Sequence, residues 1–373
     1  MEPSEIWIDV PFGRLAAKVW GSPSGKPVLA LHGWLDSAAT FDTLAPLLNP
    51  SLKIVALDLS GHGKSSHRPK GSQYNYLEYV VDVRRVVHHF QWDRFSILGH
   101  SMGASVGLLF SGLFPRRVES LVTLDVIIPM VTPDAHLPSV IAGGIVKFLK
   151  LEARMGSPPT YSQEELLERM EAANPGLLSE RSKRLLLARG AEAVPGGGYQ
   201  LRRDVRAKTS RTFGLPLSIQ EEMMSGYTGD ILIFKSTDNI LTQGLKPLEQ
   251  KFRELYKKCC GRFEFVELQG GHYVHLNRPE LLAPTINTIR PRATNKTPPP
   301  LLGRHLSCPR SGKKPSSRFP TVTWRRNSGG TSLWHARMSW LSTDGETMRA
   351  PSTRSSLYSP QVWALSLQTA PAS

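Results

Sequence analysis

The stretch ILGHSMGASVG, residues 97–107, holds two overlapping copies of the pattern G-x-S-x-G: Gly99-His100-Ser101-Met102-Gly103 and Gly103-Ala104-Ser105-Val106-Gly107. Such a pentapeptide carries chemistry only where its serine stands on a sharp turn between a buried strand and a helix, with the hydroxyl lifted clear of the sheet. Ser101 meets that condition. It follows directly on the apolar run FSIL, and Gly99 and Gly103 remove the side chains that would obstruct the turn. Ser105 lies one helical turn further on, so Gly103, Ala104 and Gly107 read as residues that let a helix approach a strand closely.

Outward from this turn, short apolar runs alternate with helical patterns, the signature of strands joined by crossover helices in a mostly parallel sheet. IWIDV and LAAKVW predict an opening antiparallel hairpin. KPVLALHG, LKIVALDLSGHG, FSILGHS and ESLVTLD then each end in polar or small residues, at the strand ends where open α/β sheets place their ligand sites. Between residues 127 and 218 the strand signal stops. Helical stretches replace it, among them Leu137 to Met155 and a helix opened at Ser162 with Glu165 in a capping box, while Gly190 to Gly198 reads as a glycine-rich loop. This predicts a helical cap inserted into the sheet domain. Two further strands, DILIFKSTD and FEFVELQGGH, precede a helix opened by Pro279.

The chain is therefore read as a first core segment (1–126), a cap insertion (127–218), a second core segment (219–290) and a tail (291–373). Of the net charge of +15, most belongs to the tail, which carries twelve Lys and Arg against Asp344 and Glu346, together with Pro298-Pro299-Pro300 and many serines. That composition cannot bury enough apolar surface to offset its ordering entropy and predicts disorder. A disordered basic run is most often simply solvated, so nucleic-acid or membrane binding is not expected of it.

Three cysteines, two of them adjacent, offer neither a disulfide framework nor metal-ligand spacing, and no H-x-x-x-H motif or carboxylate cluster suggests a metal site. DLSGHGKSS, residues 58–66, departs from both phosphate-loop patterns and reads as a tight strand-to-helix connection. The opening MEPSEIWIDVPFGRL lacks the basic and apolar regions of a signal peptide, and no run of about 18 apolar residues occurs. A cytoplasmic protein without metal or cofactor is expected.

A serine hydroxyl at neutral pH needs an adjacent base, and the base needs an anionic partner that fixes its tautomer. Among the histidines, His272 in GGHYVHLNRPE follows the last strand on a glycine loop able to reach back across the strand ends; His275 is its close competitor. For the acid, Asp238 in STD ends the first strand after the cap and gives the chain order Ser, Asp, His, with Asp125, at the end of LVTLD, as the alternative. Backbone N–H groups of Met102 and of Trp34, after the strand VLALHGW, are the expected oxyanion donors, while His32 is expected to be structural.

Taken together and in order, HGW, DLSGHGKSS, GHSMG, STD and GGHYVH make residues 5 to 290 resemble the α/β-hydrolase superfamily, and within it the cap-bearing serine hydrolase-like proteins of animals. The resemblance implies a cofactor-free hydrolase acting on ester-like bonds of a small-molecule acyl substrate, with Ser101 as nucleophile, His272 as base, and Met102 and Trp34 as oxyanion donors. A catalytically inactive binding protein on the same fold is the alternative. Two positions depart from the family pattern: Lys235 stands where many relatives have glycine, and Pro284 falls inside the helix that closes the domain in relatives.

Overall fold

A computed structural model describes residues 2–129, 136–156, 158–210, 214–238 and 245–288, all within the first of two units into which the chain divides, 1–302 and 303–373. The tail expectation for 291–373 lies outside the described residues. The sheet has eight strands: β1 (Ser4–Val10), β2 (Gly13–Gly21), β3 (Lys26–Leu31), β4 (Leu52–Leu57), β5 (Phe95–His100), β6 (Val118–Leu124), and, after a two-stranded hairpin formed by β7 (Ala191–Ala193) and β8 (Tyr199–Leu201), β9 (Asp230–Ser236) and β10 (Phe263–Leu268). Its order is β1-β2-β4-β3-β5-β6-β9-β10. β1 and β2 pair antiparallel, as do β2 and β4, and all later neighbours are parallel.

Parallel strands covered on both faces read as near-continuous apolar runs, as the buried ends of β3 (Val28–Leu31) and β4 (Ile54–Leu57) do. Successive residues of β3 and β4 alternate between two clusters: Leu29, Leu31, Val55 and Leu57 belong to one, Val28, Ala30, Ile54 and Ala56 to the other. Helices α1 (Tyr76–His89) and α2 (Met102–Leu113) pack on the first face. α1 starts where the Asn75 side chain accepts from the Glu78 amide at 3.0 Å, satisfying one of the donors a helix start leaves free.

Between β6 and β9 lies the insertion, with α3 (Leu137–Ala153), α4 (Gln163–Ala173) and α5 (Glu180–Gly190). α4 opens with the expected capping box of Ser162 and Glu165. The stretch read as a glycine-rich loop is instead the β7–β8 hairpin, in which Gly196, Gly197 and Gly198 all take positive φ at the turn. α6 (Leu217–Ser225) already rejoins the core through the fully buried Met224, and α7 (Lys246–Cys259) does so through Phe252 and Tyr256.

The closing segment is α8 (Val274–Asn277), a 3-10 turn at Pro279–Leu281, and the short α9 (Ala283–Asn287). Pro284 stands in the first turn of α9, where its missing N–H is no loss, and the helix expected to run on from Pro279 is broken there. No helix of the described residues is long and apolar enough to cross a membrane.

Candidate active site

β5 ends at His100, and α2 begins at Met102, so Ser101 must turn the chain alone. It does so at φ 50° and ψ −116°, a conformation that costs a non-glycine residue about 1–3 kcal/mol. The turn is tight because α2 lies close against β3: a Cβ on Gly103 would come within 2.1 Å of the Leu31 carbonyl oxygen. Ser105, the other serine of the double motif, is buried on α2 with its amide bonded to the Ser101 carbonyl. Only Ser101 occupies the turn.

The Ser101 amide donates to the Leu124 carbonyl at 3.1 Å, which fixes the turn beside the end of β6. The next residue, Asp125, also takes positive φ (68°), and its amide donates to Phe234 at 2.7 Å. Its carboxylate is held on both oxygens. Oδ1 accepts from the Ser236 amide at 3.0 Å and from the Ser236 hydroxyl at 2.7 Å, while Oδ2 lies 2.5 Å from His272 Nδ1. The His272 carbonyl in turn accepts from His100 Nε2 at 3.0 Å, and the two rings lie 4.7 Å apart. The His100 side chain thus tethers the histidine's carbonyl to the residue before Ser101, and a backbone bond tethers Ser101 to the residue before Asp125.

Of the two candidate acids, the structure brings Asp125 and not Asp238 to His272. Asp238, the carboxylate expected to reach the histidine, is exposed and accepts from the neighbouring Thr237 hydroxyl at 2.9 Å. Asp125, the alternative, makes the contact. The physical reason is that β6 and β9 are adjacent and parallel, so Asp125 leaves β6 directly beside Ser236, which clamps it, while the chain carries Asp238 two residues past that point. Lys235, noted above as a departure, is turned into an ion pair with Glu249 at 3.1 Å.

His275, the competing base, is fully buried and bonded through Nε2 to the Thr40 hydroxyl at 2.9 Å. Burial pushes its pKa down to about 3. His32 donates through Nδ1 to the Gly33 carbonyl and accepts the Leu59 amide at Nε2, which fixes its tautomer; burial draws it down to about 4, and it is a neutral structural group. His100 packs between His272 and His275, and burial, then the neighbouring imidazoles, holds it well below the ordinary histidine value.

The loop after β3 closes the site. A Cβ on Gly33 would stand 2.9 Å from His100 Nδ1 and 3.5 Å from Ser101 Cβ, so this loop lies against the strained turn. The turn from Gly33 to Asp36 carries Trp34, whose indole donates to the Ala207 carbonyl of the insertion at 3.1 Å. Met102 is the first residue of α2, where an amide has no partner within its own helix. DLSGHGKSS wraps around Asp58, which accepts the amides of Ala38 and Lys64 at 2.7 Å each. Among the described residues no group of three His, Cys, Asp or Glu side chains could hold a metal ion.

A family model described as the alpha/beta hydrolase fold matches residues 26–150. The chain is 37% identical to a serine hydrolase-like protein of Danio rerio over 297 residues, covering 79% of this chain and 90% of that one. The chain belongs to the α/β-hydrolase family. Another relative, serine hydrolase-like protein 2 of Homo sapiens, is 36% identical over 77% of this chain and 93% of its own length. Among solved structures, a hypothetical protein of Pseudomonas aeruginosa PAO1 superposes with TM-score 0.66 at 34% identity, over 76% of this chain and 98% of that one. A thioesterase domain from the curacin biosynthetic pathway superposes with TM-score 0.65 at 23% identity, over 77% and 100%, a likeness of fold.

Four residues of this site carried no sequence signal of their role. Ser236 holds the Asp125 carboxylate, His100 bonds the His272 carbonyl, and Asp36 and Tyr273 line the neighbourhood. Ser236 lies within the motif STD, but the alternation of strands does not disclose which neighbour a strand end will meet.

Proposed function

We propose that this protein is a serine hydrolase that cleaves an ester-like bond of a small acyl substrate through Ser101, His272 and Asp125. The observation that carries the reading is the 2.5 Å bond between His272 Nδ1 and Asp125 Oδ2, on a histidine tied by its backbone to the residue preceding a strained serine. The serine hydrolase-like names of the animal relatives agree with it.

In this mechanism the Ser101 hydroxyl attacks the acyl carbonyl while His272 Nε2 takes its proton. Asp125, bonded to Nδ1, stabilises the imidazolium that forms. The oxyanion faces the amides of Met102 and Trp34, each such donor being worth about 3 kcal/mol to the transition state. Collapse expels the leaving group, which takes the proton from His272, and leaves an acyl-Ser101 ester. Water, activated by the same imidazole, then attacks that ester and releases the acid. The insertion shapes the acyl side of the site.

A fluorophosphonate probe tests the reading. It is expected to label the wild-type protein and to leave the Ser101→Ala variant dark. A folded wild-type protein that stays unlabelled at millimolar probe, and hydrolyses no ester of a chain-length series, would instead be an inactive binding protein on this fold.

A further inference from the structure

Among the described residues, the buried and half-buried cations of the insertion are neutralised with one exception. Arg189 is bonded to Asp58 and Glu5, Arg202 pairs with Glu192, Arg206 binds Asp204, and Lys183 pairs with Glu171. Arg203 sits between two of these, in the link from β8 to the 3-10 turn at Val205–Thr209, and is only partly exposed. Among the described residues no hydrogen bond or ion pair reaches its guanidinium. The ionisable groups it faces are Tyr161, Tyr273 and Asp36.

Two of those groups belong to the site. The Tyr273 ring lies 5.5 Å from the His272 ring and 5.3 Å from that of His100. Asp36 stands three residues past Gly33, which touches Ser101; it is buried, its Oδ1 accepts the Ser37 amide at 2.7 Å, and its Oδ2 has no partner among the described residues. Burial pushes the Asp36 carboxyl up to about 7, which weakens its claim on the guanidinium. A second cation, Lys208, also lacks an ion pair among the described residues and faces Arg203 and Lys147. Arg203 and Lys208 are like charges that feel one another, and a half-buried guanidinium without a hydrogen-bond acceptor is costly unless a ligand supplies one.

We propose that Arg203 selects an acyl substrate bearing a carboxylate at the end remote from the scissile bond, which the guanidinium receives while the carbonyl lies at Ser101. This rests on the hydrolase reading. A monoanion fits better than a phosphate dianion, because Arg203 offers one fork of donors and the Asp36 carboxyl is among the groups it faces.

The test compares mono-4-nitrophenyl esters of succinate, glutarate and adipate with 4-nitrophenyl esters of the uncharged acids of equal length. For at least one length, the wild-type kcat/KM is expected to favour the carboxylate ester at least tenfold, and Arg203→Gln to lower that ratio about tenfold to a hundredfold, with Arg203→Lys keeping part of it. Equal rates for all pairs, or a ratio untouched by Arg203→Gln, overturn the proposal. Calorimetry on Ser101→Ala protein with the corresponding monomethyl esters reads the same contact without turnover: binding that vanishes with Arg203→Gln supports it, and no binding of any of the three overturns it. A protein that neither reacts with fluorophosphonate nor hydrolyses any ester loses the hydrolase reading, while the calorimetry still decides whether Arg203 holds a carboxylate.

Discussion

α2 and α3 are both apolar helices, yet they live in different environments. Of the twelve residues of α2, Met102 through Ser111 are buried; of the seventeen of α3, only Phe148 is, while Val146 and Leu149 are more than half exposed. The sheet and its helices are held by apolar burial on two faces. The insertion is held by a small apolar cluster, Leu178 and Leu186 against Ala39 and Leu276, and by charged and polar anchors, among them Arg189 on Asp58 and Glu5, Arg206 on the carbonyls of Arg68 and Pro69, and the Trp34 indole on Ala207. The strained serine and its neighbours sit on the densely buried part, and the insertion is more loosely built.

The strongest way to break that division is to attack the turn itself. Ser101→Ala should lower esterase kcat by about 10⁴-fold or more, whereas Ser105→Ala, on the buried flank of the same helix, should leave the rate nearly unchanged. Stopped assays with a chromogenic ester check both; comparable losses would mean that α2, and not the turn, carries the effect. Next in size is the acid. Asp125→Asn keeps the shape but leaves His272 Nδ1 facing an amide, and should cost about 10²- to 10⁴-fold in kcat, against a change within about twofold for Asp238→Asn. A large loss at Asp238 would reverse the assignment made from the 2.5 Å contact.

The contrast between these two aspartates marks how far the residues alone disclosed the site. The eight strands, the capping box at Ser162 and the turn at Ser101 were legible, because each rests on local chemistry: runs of apolar residues, a cap, glycines flanking a serine. That His272 reaches a strand-end carboxylate was legible from its place on the loop after the final strand. Which carboxylate it meets was not, since Asp125 and Asp238 both end strands and both precede His272, and the contact depends on the register of β6 beside β9 and on the clamp from Ser236. The β7–β8 hairpin was missed for a similar reason. Its strands are three residues each, too short to show alternation, and the glycines that form its turn read equally well as a loop.

Arg189 tests the other half of the comparison. Its side chain is buried against a fully buried Asp58, and removing it leaves that carboxylate with its amide donors alone. Arg189→Ala should destabilise the protein by about 3 kcal/mol, less than the upper end for buried pairs because Glu5 is partly solvated. Arg117→Ala, which breaks an exposed pair with Asp93, should cost under about 1 kcal/mol. Amide exchange sharpens the point: in Arg189→Ala, protection should fall first in α4 and α5 while β5 keeps its own. Uniform loss across β5 would show that insertion and sheet unfold as one unit.

The smallest effect concerns protons buried where the two regions meet. His32, His62, His100 and His275 are all fully buried, with pKa values pushed down by burial to about 4, about 3, well below the ordinary value, and about 3. The unfolded chain binds protons at these positions from about pH 6.5 downward while the folded chain does not, so stability falls on acidification through that window. Asp36 acts in the opposite sense: its folded value is raised to about 7, so the stability it contributes is fully present below about pH 3.8 and is lost as pH rises through 7. Wild-type protein should therefore lose stability from pH 7 to 5, and Asp36→Asn, lacking the opposing group, should lose more. Measured by urea denaturation, the difference in unfolding free energy between the two proteins should change by about 2 kcal/mol between pH 5 and pH 8, with wild type relatively favoured at the acid end. Parallel pH profiles would mean that Asp36 is ionised in the folded state and paired with Arg203, which would fill the guanidinium from within the chain and leave no room there for a substrate carboxylate.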